Sequence, residues 1–382
     1  MTGTAPYDLW ETARRNADAM TAAGNEPRRH HLLPAFYLDR WAEGNRVRVT
    51  DLLRNRNAYE VAPRSAAFET DFYRLDEADG LSPVYWEAWL SQVEGHAATA
   101  FEEIDAGTLS EESQEWLCLF LATQMTRGRK ARRGHRALLA AQLAQVREAN
   151  GEESLAEELR RGDTFAFTDA DDVATIMREV DRVLENPELL PITRSNDLEA
   201  LATLSSHGAG LLATRHLALY RTRRALITSD EPVVELHENM AQPALYGGVW
   251  GAPIFAFPVD PHTVLALYRR DIEPRFSGST LDVQETLDLN AAILANSHGF
   301  AISKPGDKLA ERLFLPDEPS GYGSERFTDP ESGDTLFRFW APGRWEGRED
   351  APRRVVTRWW PAVVPPATPP TEEEQAIIAG WA

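Results

Sequence analysis

Cysteine is almost absent from this chain of 382 residues: Cys118 stands alone, which excludes an internal disulfide and a thiolate zinc cage. Any metal would have to be held by His, Asp, Glu or Asn. Lysine is nearly as scarce, at 130, 304 and 308 only. Long apolar runs are missing as well, and none approaches the ~20 residues of a membrane helix. The first residues carry Asp8, Glu11 and Asp18 and lack the apolar centre of a secretion signal. Cytoplasm is therefore the default location, with no membrane partner expected. No HExxH helix, GxSxG elbow or glycine-rich nucleotide fingerprint occurs, and Gly208-Ala-Gly210 and Gly247-Gly248 are too sparse to cradle phosphates.

What is present suffices for a sizeable core, at 43% hydrophobic and 26% charged residues. A formal charge of −20 repels polyanions at long range. Two stretches run against that average: Arg28-Arg29-His30-His31, and residues 127–136, which hold six cations in ten positions. The second reads either as a surface contacting phosphates or as a solvated helix face with neighbouring acids. An anionic small molecule or a nucleic acid is thus an open partner. The preference for arginine over lysine also follows from GC-rich codon usage.

Along the chain, 1–80 reads as an N-terminal helix, a dense segment from Arg28 to Gly44, and first strands. Leu9, Ala13, Ala17 and Met20 give the helix its stripe. Pro34 suits the first position of a short helix to Glu43, and Arg46 to Thr50 alternates as a strand. Residues 81–190 form a mostly helical block: Pro83 to Ile104, then a helix capped at Ser110, then helical pattern to about Asn150 and two shorter helices. Residues 191–315 return to strands (217–229, 254–259, 263–268, 300–303) with one helix, Leu281 to Ser297. The fold class expected is α+β, a mixed or antiparallel sheet of N- and C-terminal strands with helices inserted between them. Residues 316–382 form a Trp/Pro-rich strap, with five of the eleven tryptophans between Trp340 and Trp381. Such tryptophans bury against the parent domain or dock a partner, for instance in a homodimer.

The run His30-His31-Leu32-Leu33-Pro34-Ala35-Phe36-Tyr37-Leu38 resembles the HHxxPxFYL opening of a bacterial family known as domain of unknown function 4238. The resemblance continues, in the family's order, at Phe72-Tyr73, Glu87, Glu94, Arg127, Thr228-Ser229-Asp230-Glu231-Pro232 and Asn290, covering residues 28–304. Family members often carry Asn where this chain has Glu231. The family has no settled activity, so the resemblance supplies positions rather than chemistry.

Adjacent histidines point to opposite faces of a strand, so one of His30 and His31 faces a site and the other is structural. Beside the positive end of a helix, imidazole stays neutral and is able to bind a metal, act as a base, or bond backbone carbonyls. Glu87 and Glu94 share a helix face two turns apart, ~10.5 Å along the axis, too far to clamp one ion together. Arg127 would pair with Glu94 if their helices are neighbours. Asp230, at a strand end before a rigid turn, suits a ligand, a base or a backbone-bonded turn. Asn290 sits inside an apolar helix. The leading expectation is a metal-assisted hydrolase, acting on a phosphodiester in a nuclease-like way. His30 and Asp230 would hold a divalent ion that activates water. His31, Glu94 and Arg127 would complete the catalytic set, with Arg28, Arg29 and Asn290 on the substrate. The alternative is a non-catalytic protein binding a ligand or nucleic acid, whose same residues form a structural network.

Overall fold

The computed structural model describes residues 5–75, 81–162, 165, 167–242, 251–328, 333–368 and 371–379. Gly247-Gly248, Pro369, Pro370 and Trp381 lie outside them. The chain opens with α1 (Ala5–Ala22), whose Leu9, Ala13 and Ala17 are buried at helical spacing. Strand β1 (Arg29–His31) follows, then α2 (Ala35–Leu38), begun by Pro34 in extended conformation and continued as a 3-10 turn to Trp41. Strands β2 (Val47–Asp51), β3 (Asn57–Val61) and β4 (Phe68–Thr70) complete this part.

Five helices come next: α3 (Tyr85–Ala106), α4 (Glu111–Thr126), α5 (Arg129–Arg161), α6 (Val173–Glu185) and α7 (Arg194–Ala213). The Ser110 hydroxyl caps α4 by accepting from the Ser113 N–H, and Gly107 ends α3 in the left-handed region. Pro187 and Pro191 do not end the helical run, because the Thr193 side chain accepts from the Asn196 N–H and starts α7. Helix α5 is kinked at Gly151, where φ is 82°.

The remainder holds β5 (His216–Thr222), β6 (Thr228–Ser229), β7 (Val234–Leu236), β8 (Ile254–Asp260), β9 (Thr263–Tyr268), β10 (Thr280–Leu281), α8 (Val283–Asn296), β11 (Phe300–Ser303), α9 (Leu309–Arg312), a hairpin of β12 (Gly323–Thr328) and β13 (Thr335–Trp340), and α10 (Glu372–Ala379). N- and C-terminal strands do share a sheet, ordered β3-β2-β11-β6. They do not account for every strand. A second, five-stranded sheet, β10-β5-β9-β8-β7, uses only strands that follow the helices, and β1 pairs with β4 alone. The class is α+β.

The five-stranded sheet is apolar on both faces. Phe255, Phe257, Leu265 and Leu267 pack on one side into the core that α1, α3 and α4 also enter. Ile254, Ala256, Val264 and Ala266 alternate to the other side, against α8 and the tail residues Trp359 and Trp360. Both tryptophans are fully buried, and Trp359 lies over Tyr220 with ring centroids 4.8 Å apart. The tail is therefore more than a strap, since it contributes a hairpin and part of the core. Among the described residues, no helix is long and apolar enough to cross a membrane.

Candidate functional site

His30 and His31 diverge as strand neighbours must. His30 is fully buried; Nδ1 accepts from the Tyr73 N–H at 2.6 Å, and Nε2 lies 3.1 Å from the Pro27 carbonyl. That pattern fixes a neutral ring with its proton on Nε2, and burial lowers its pKa further. The ring stacks on Tyr73, centroids 5.6 Å apart, so His30 sets the position of that tyrosine. His31 takes the opposite face, half-buried, with Nδ1 enclosed and without a hydrogen-bond partner. Burial, with the nearby Arg127 and Arg29 charges, depresses its pKa against a backbone bond at Ala66.

Tyr73 and His31 lead to Arg127, at the end of α4. Its guanidinium is tied on three sides: Nε to the Tyr73 hydroxyl at 3.0 Å, one terminal nitrogen to Glu94 Oε1 at 2.9 Å, and the other to the His31 carbonyl at 2.5 Å. Helices α3 and α4 are indeed neighbours, and Arg127 pairs with Glu94. Burial raises the pKa of Glu94, and the Arg127 charge and hydrogen bond oppose that rise only in part, while the Arg127 pKa is raised by Tyr73 and Glu94. Two turns earlier on the same face, Glu87 has no hydrogen-bond or ion-pair partner among the described residues. Burial, reinforced by the Glu94 charge, pushes its carboxyl up to about 7 in spite of Arg127. One turn before Arg127, the Gln124 amide is buried with both its oxygen and nitrogen unpartnered. These residues make a polar seam between β1, α3 and α4, carrying unpartnered atoms on His31, Glu87 and Gln124.

The expected metal pair of His30 with Asp230 is not assembled. Asp230 lies at the end of β6, where its buried carboxylate accepts the backbone N–H groups of His298 at 3.0 Å, Gly299 at 2.6 Å and Phe300 at 3.2 Å. It shares no partner with His30, and both nitrogens of the His30 ring and the Asp230 carboxylate are engaged by main chain. Among the described residues, no three His, Cys, Asp or Glu side chains gather where they could hold an ion. The two motifs meet elsewhere, through Tyr37 on α2, whose hydroxyl lies 2.7 Å from Thr228 Oγ1.

The remaining expected site residues are structural or peripheral. Asn290 accepts from the Ile227 N–H at 2.8 Å and donates to the Ala225 carbonyl at 3.0 Å, holding the approach to β6. Arg28 pairs with Asp71 on the surface, and the Arg29 guanidinium lies 3.6 Å from the centre of the Phe68 ring. The arginines of the basic run find partners within the chain: Arg129 with Glu69, Arg132 with Asp197, Arg133 with Glu318, Arg136 with Glu188. A run that reads as a polyanion surface is thus folded against acids.

Glu231 explains its own departure from the family pattern. Its Oε1 accepts from the Lys130 N–H at 3.1 Å and so caps α5, whose own N-cap residue, Gly128, has no side chain to do so. A Cβ on Gly128 would collide with that carboxyl. Burial, with the adjacent Asp230 charge, lifts Glu231 to about 8. Sequence reasoning also left His298 unplaced; the structure puts its Nδ1 3.1 Å from Glu318 Oε1.

His31 on β1, Glu94 on α3 and Arg127 at the end of α4 thus meet on an α+β scaffold. The chain belongs to the family described as protein of unknown function (DUF4238), whose model matches residues 29–307. No curated protein and no solved structure matches it.

Proposed function

We propose that the chain is a hydrolase working by general acid–base chemistry between Glu87 and Glu94. The observation that carries this is the pair's asymmetry. Arg127 donates a hydrogen bond to Glu94 at 2.9 Å, while Glu87 has no partner among the described residues; burial raises both carboxyls, Glu87 to about 7. Two carboxyls of which one is ion-paired and the other has no partner suit the two halves of a hydrolysis, one donating a proton to the leaving group and one taking a proton from water. The ~10.5 Å axial offset that defeats a shared ion leaves room for a water and a scissile bond between them. His31 and Gln124 would bind the substrate through their unpartnered atoms. Arg127 is a positioning residue, since each of its three nitrogens already donates to Tyr73, Glu94 or the His31 carbonyl. A lone buried thiol, Cys118, with its pKa pushed up to about 12, suits a reducing compartment such as the cytoplasm.

The test is a carboxyl-carbon NMR titration of glutamate-labelled protein, run beside a panel of chromogenic esters, phosphodiesters and glycosides. One glutamate should titrate near neutral pH and vanish from that range in Glu87→Gln. Turnover should fall as pH rises through that value, and the variant should lose ~100-fold or more. A wild-type protein with no glutamate titrating near neutrality overturns the reading, as does undiminished turnover in the variant.

A second reading has one observation in its favour: His30, Asp230 and Asn290 are saturated by backbone, as a non-catalytic ligand-binding protein with a structural network would have them. It predicts that Glu87→Gln retains ligand affinity and that no panel substrate turns over.

A further inference from the structure

A cleft of about 850 Å³, open mouth included, is lined by His298, whose N–H the Asp230 carboxylate accepts. The start of α5, the end of α8, β7 and tail residues 341–346 wall it in. Lys130, Arg133, Arg344 and His298 line it together with the carboxylates of Glu235, Glu318 and Glu346. Arg133, Arg344 and His298 all approach one carboxylate, Glu318, at 3.4, 3.1 and 3.1 Å. Lys130 joins them without an ion pair among the described residues; its Nζ is steered by the neutral Asn296 Oδ1 at 2.8 Å. Asn296 is itself fixed by the Glu231 and Val233 carbonyls. The Glu318 hydrogen bond raises the pKa of His298, so the wall gains charge as pH falls toward neutrality. Arg344 uses two nitrogens, on Glu318 and the Pro316 carbonyl, of the five donor hydrogens a guanidinium carries.

The opposite wall is of another kind. Ala292, Ala295, Pro342 and Trp345 offer apolar surface. Trp345 Nε1 and Glu346 Oε2 are each buried with no hydrogen-bond partner among the described residues, while Glu346 Oε1 accepts from Trp340 Nε1 at 2.7 Å. Leaving such groups unmatched is unfavourable, so a ligand bringing complementary groups to them would be favoured there.

We propose that this cleft binds a small organic phosphate, its phosphate against Lys130, Arg344 and His298 and its carbon body over Trp345. Charge density at one end and an apolar wall with unpartnered polar atoms at the other match that class. The Asp230 carboxylate serves the site by holding the 298–300 turn that presents His298. Glu318, Arg344 and Trp345 lie beyond residue 307, where the family match ends, so the tail supplies this chain's own share of the site.

The test uses the full chain at about pH 6.5, where His298 is charged, with inorganic phosphate, ribose 5-phosphate, adenosine 5′-monophosphate and adenosine as probes in calorimetry and tryptophan fluorescence. At least one organic phosphate should bind, more tightly than inorganic phosphate, and adenosine should not. Affinity should drop ~10-fold or more in both Arg344→Ala and Lys130→Ala. The Lys130 variant alters an exposed side chain and leaves the fold intact, so it stays informative should Arg344→Ala unfold. Absence of binding by both organic phosphates overturns the proposal, and so does binding that Lys130→Ala leaves unchanged.

Discussion

The Tyr37 hydroxyl donates to the Pro258 carbonyl at 2.7 Å while Thr228 Oγ1 lies a further 2.7 Å away, so one phenol ties the helix after the twin histidines to both sheets. All three groups are buried, and removing the hydroxyl strands an acceptor and a threonine. Tyr37→Phe should therefore cost ~1–3 kcal/mol of stability by denaturant titration. Phenylalanine keeps the ring contacts with Trp41 and Phe257, which separates the hydrogen bonds from the packing. A loss below ~0.5 kcal/mol would mean the two motifs are not coupled through this atom.

His30 makes a similar case against an ion. Both ring nitrogens are bonded to main chain, so His30→Ala should lower the melting temperature by several degrees, at a cost of ~1–3 kcal/mol for the stranded Tyr73 N–H. Mn²⁺, Mg²⁺ or Zn²⁺ should leave the melting temperature of the unaltered chain where it is. A metal-dependent rise that His30→Ala abolishes would contradict the bonding described.

Much of this architecture was legible in the residues. The stripe Trp86, Leu90, Val93 and Ala97 gave α3, Ser110 marked the start of α4, and alternation over Arg46 to Thr50 gave β2. Opposite facing of His30 and His31 follows from strand geometry alone. What escaped has one physical origin: groups whose partners are remote in sequence. Asp230 was recognisable as a carboxylate at a strand end, but its three acceptor bonds go to amides 68 to 70 positions away. Nothing local announces them. Likewise Glu231 caps a helix 101 positions earlier, and Glu318 answers His298 and Arg133 from a tail that composition alone presents as a strap. Helix α7 was missed for a different reason: two prolines ahead of it masked the cap at Thr193.

Gly128 offers a steric test of the Glu231 cap. Alanine there must displace the buried carboxyl from the Lys130 N–H, so Gly128→Ala should destabilise by ~1–3 kcal/mol, although alanine favours helices. The double variant Gly128→Ala, Glu231→Ala should recover part of that loss, because the clash is gone and only the cap is missing. A double variant no better than the single would point to strain elsewhere on α5.

The same carboxyl carries a pH signature with a definite sign. Burial and the Asp230 charge lift Glu231 from an ordinary 4.5 to about 8, so between those values the folded chain holds a proton that the unfolded chain has released. Its contribution to stability is full below pH 4.5 and is lost as pH climbs through about 8, opposite to the acid loss that paired carboxylates produce. Glu87, lifted to about 7, adds to the same slope. The melting temperature should accordingly decline by several degrees from mildly acidic to mildly alkaline buffer, and by less in Glu231→Gln, whose amide oxygen still caps α5 but cannot ionise. Carrying Glu87→Gln as well should flatten the profile further. If the glutamine variant kept the full alkaline decline, Glu231 would be ionised in the fold, and the proton assigned to it would belong to another group.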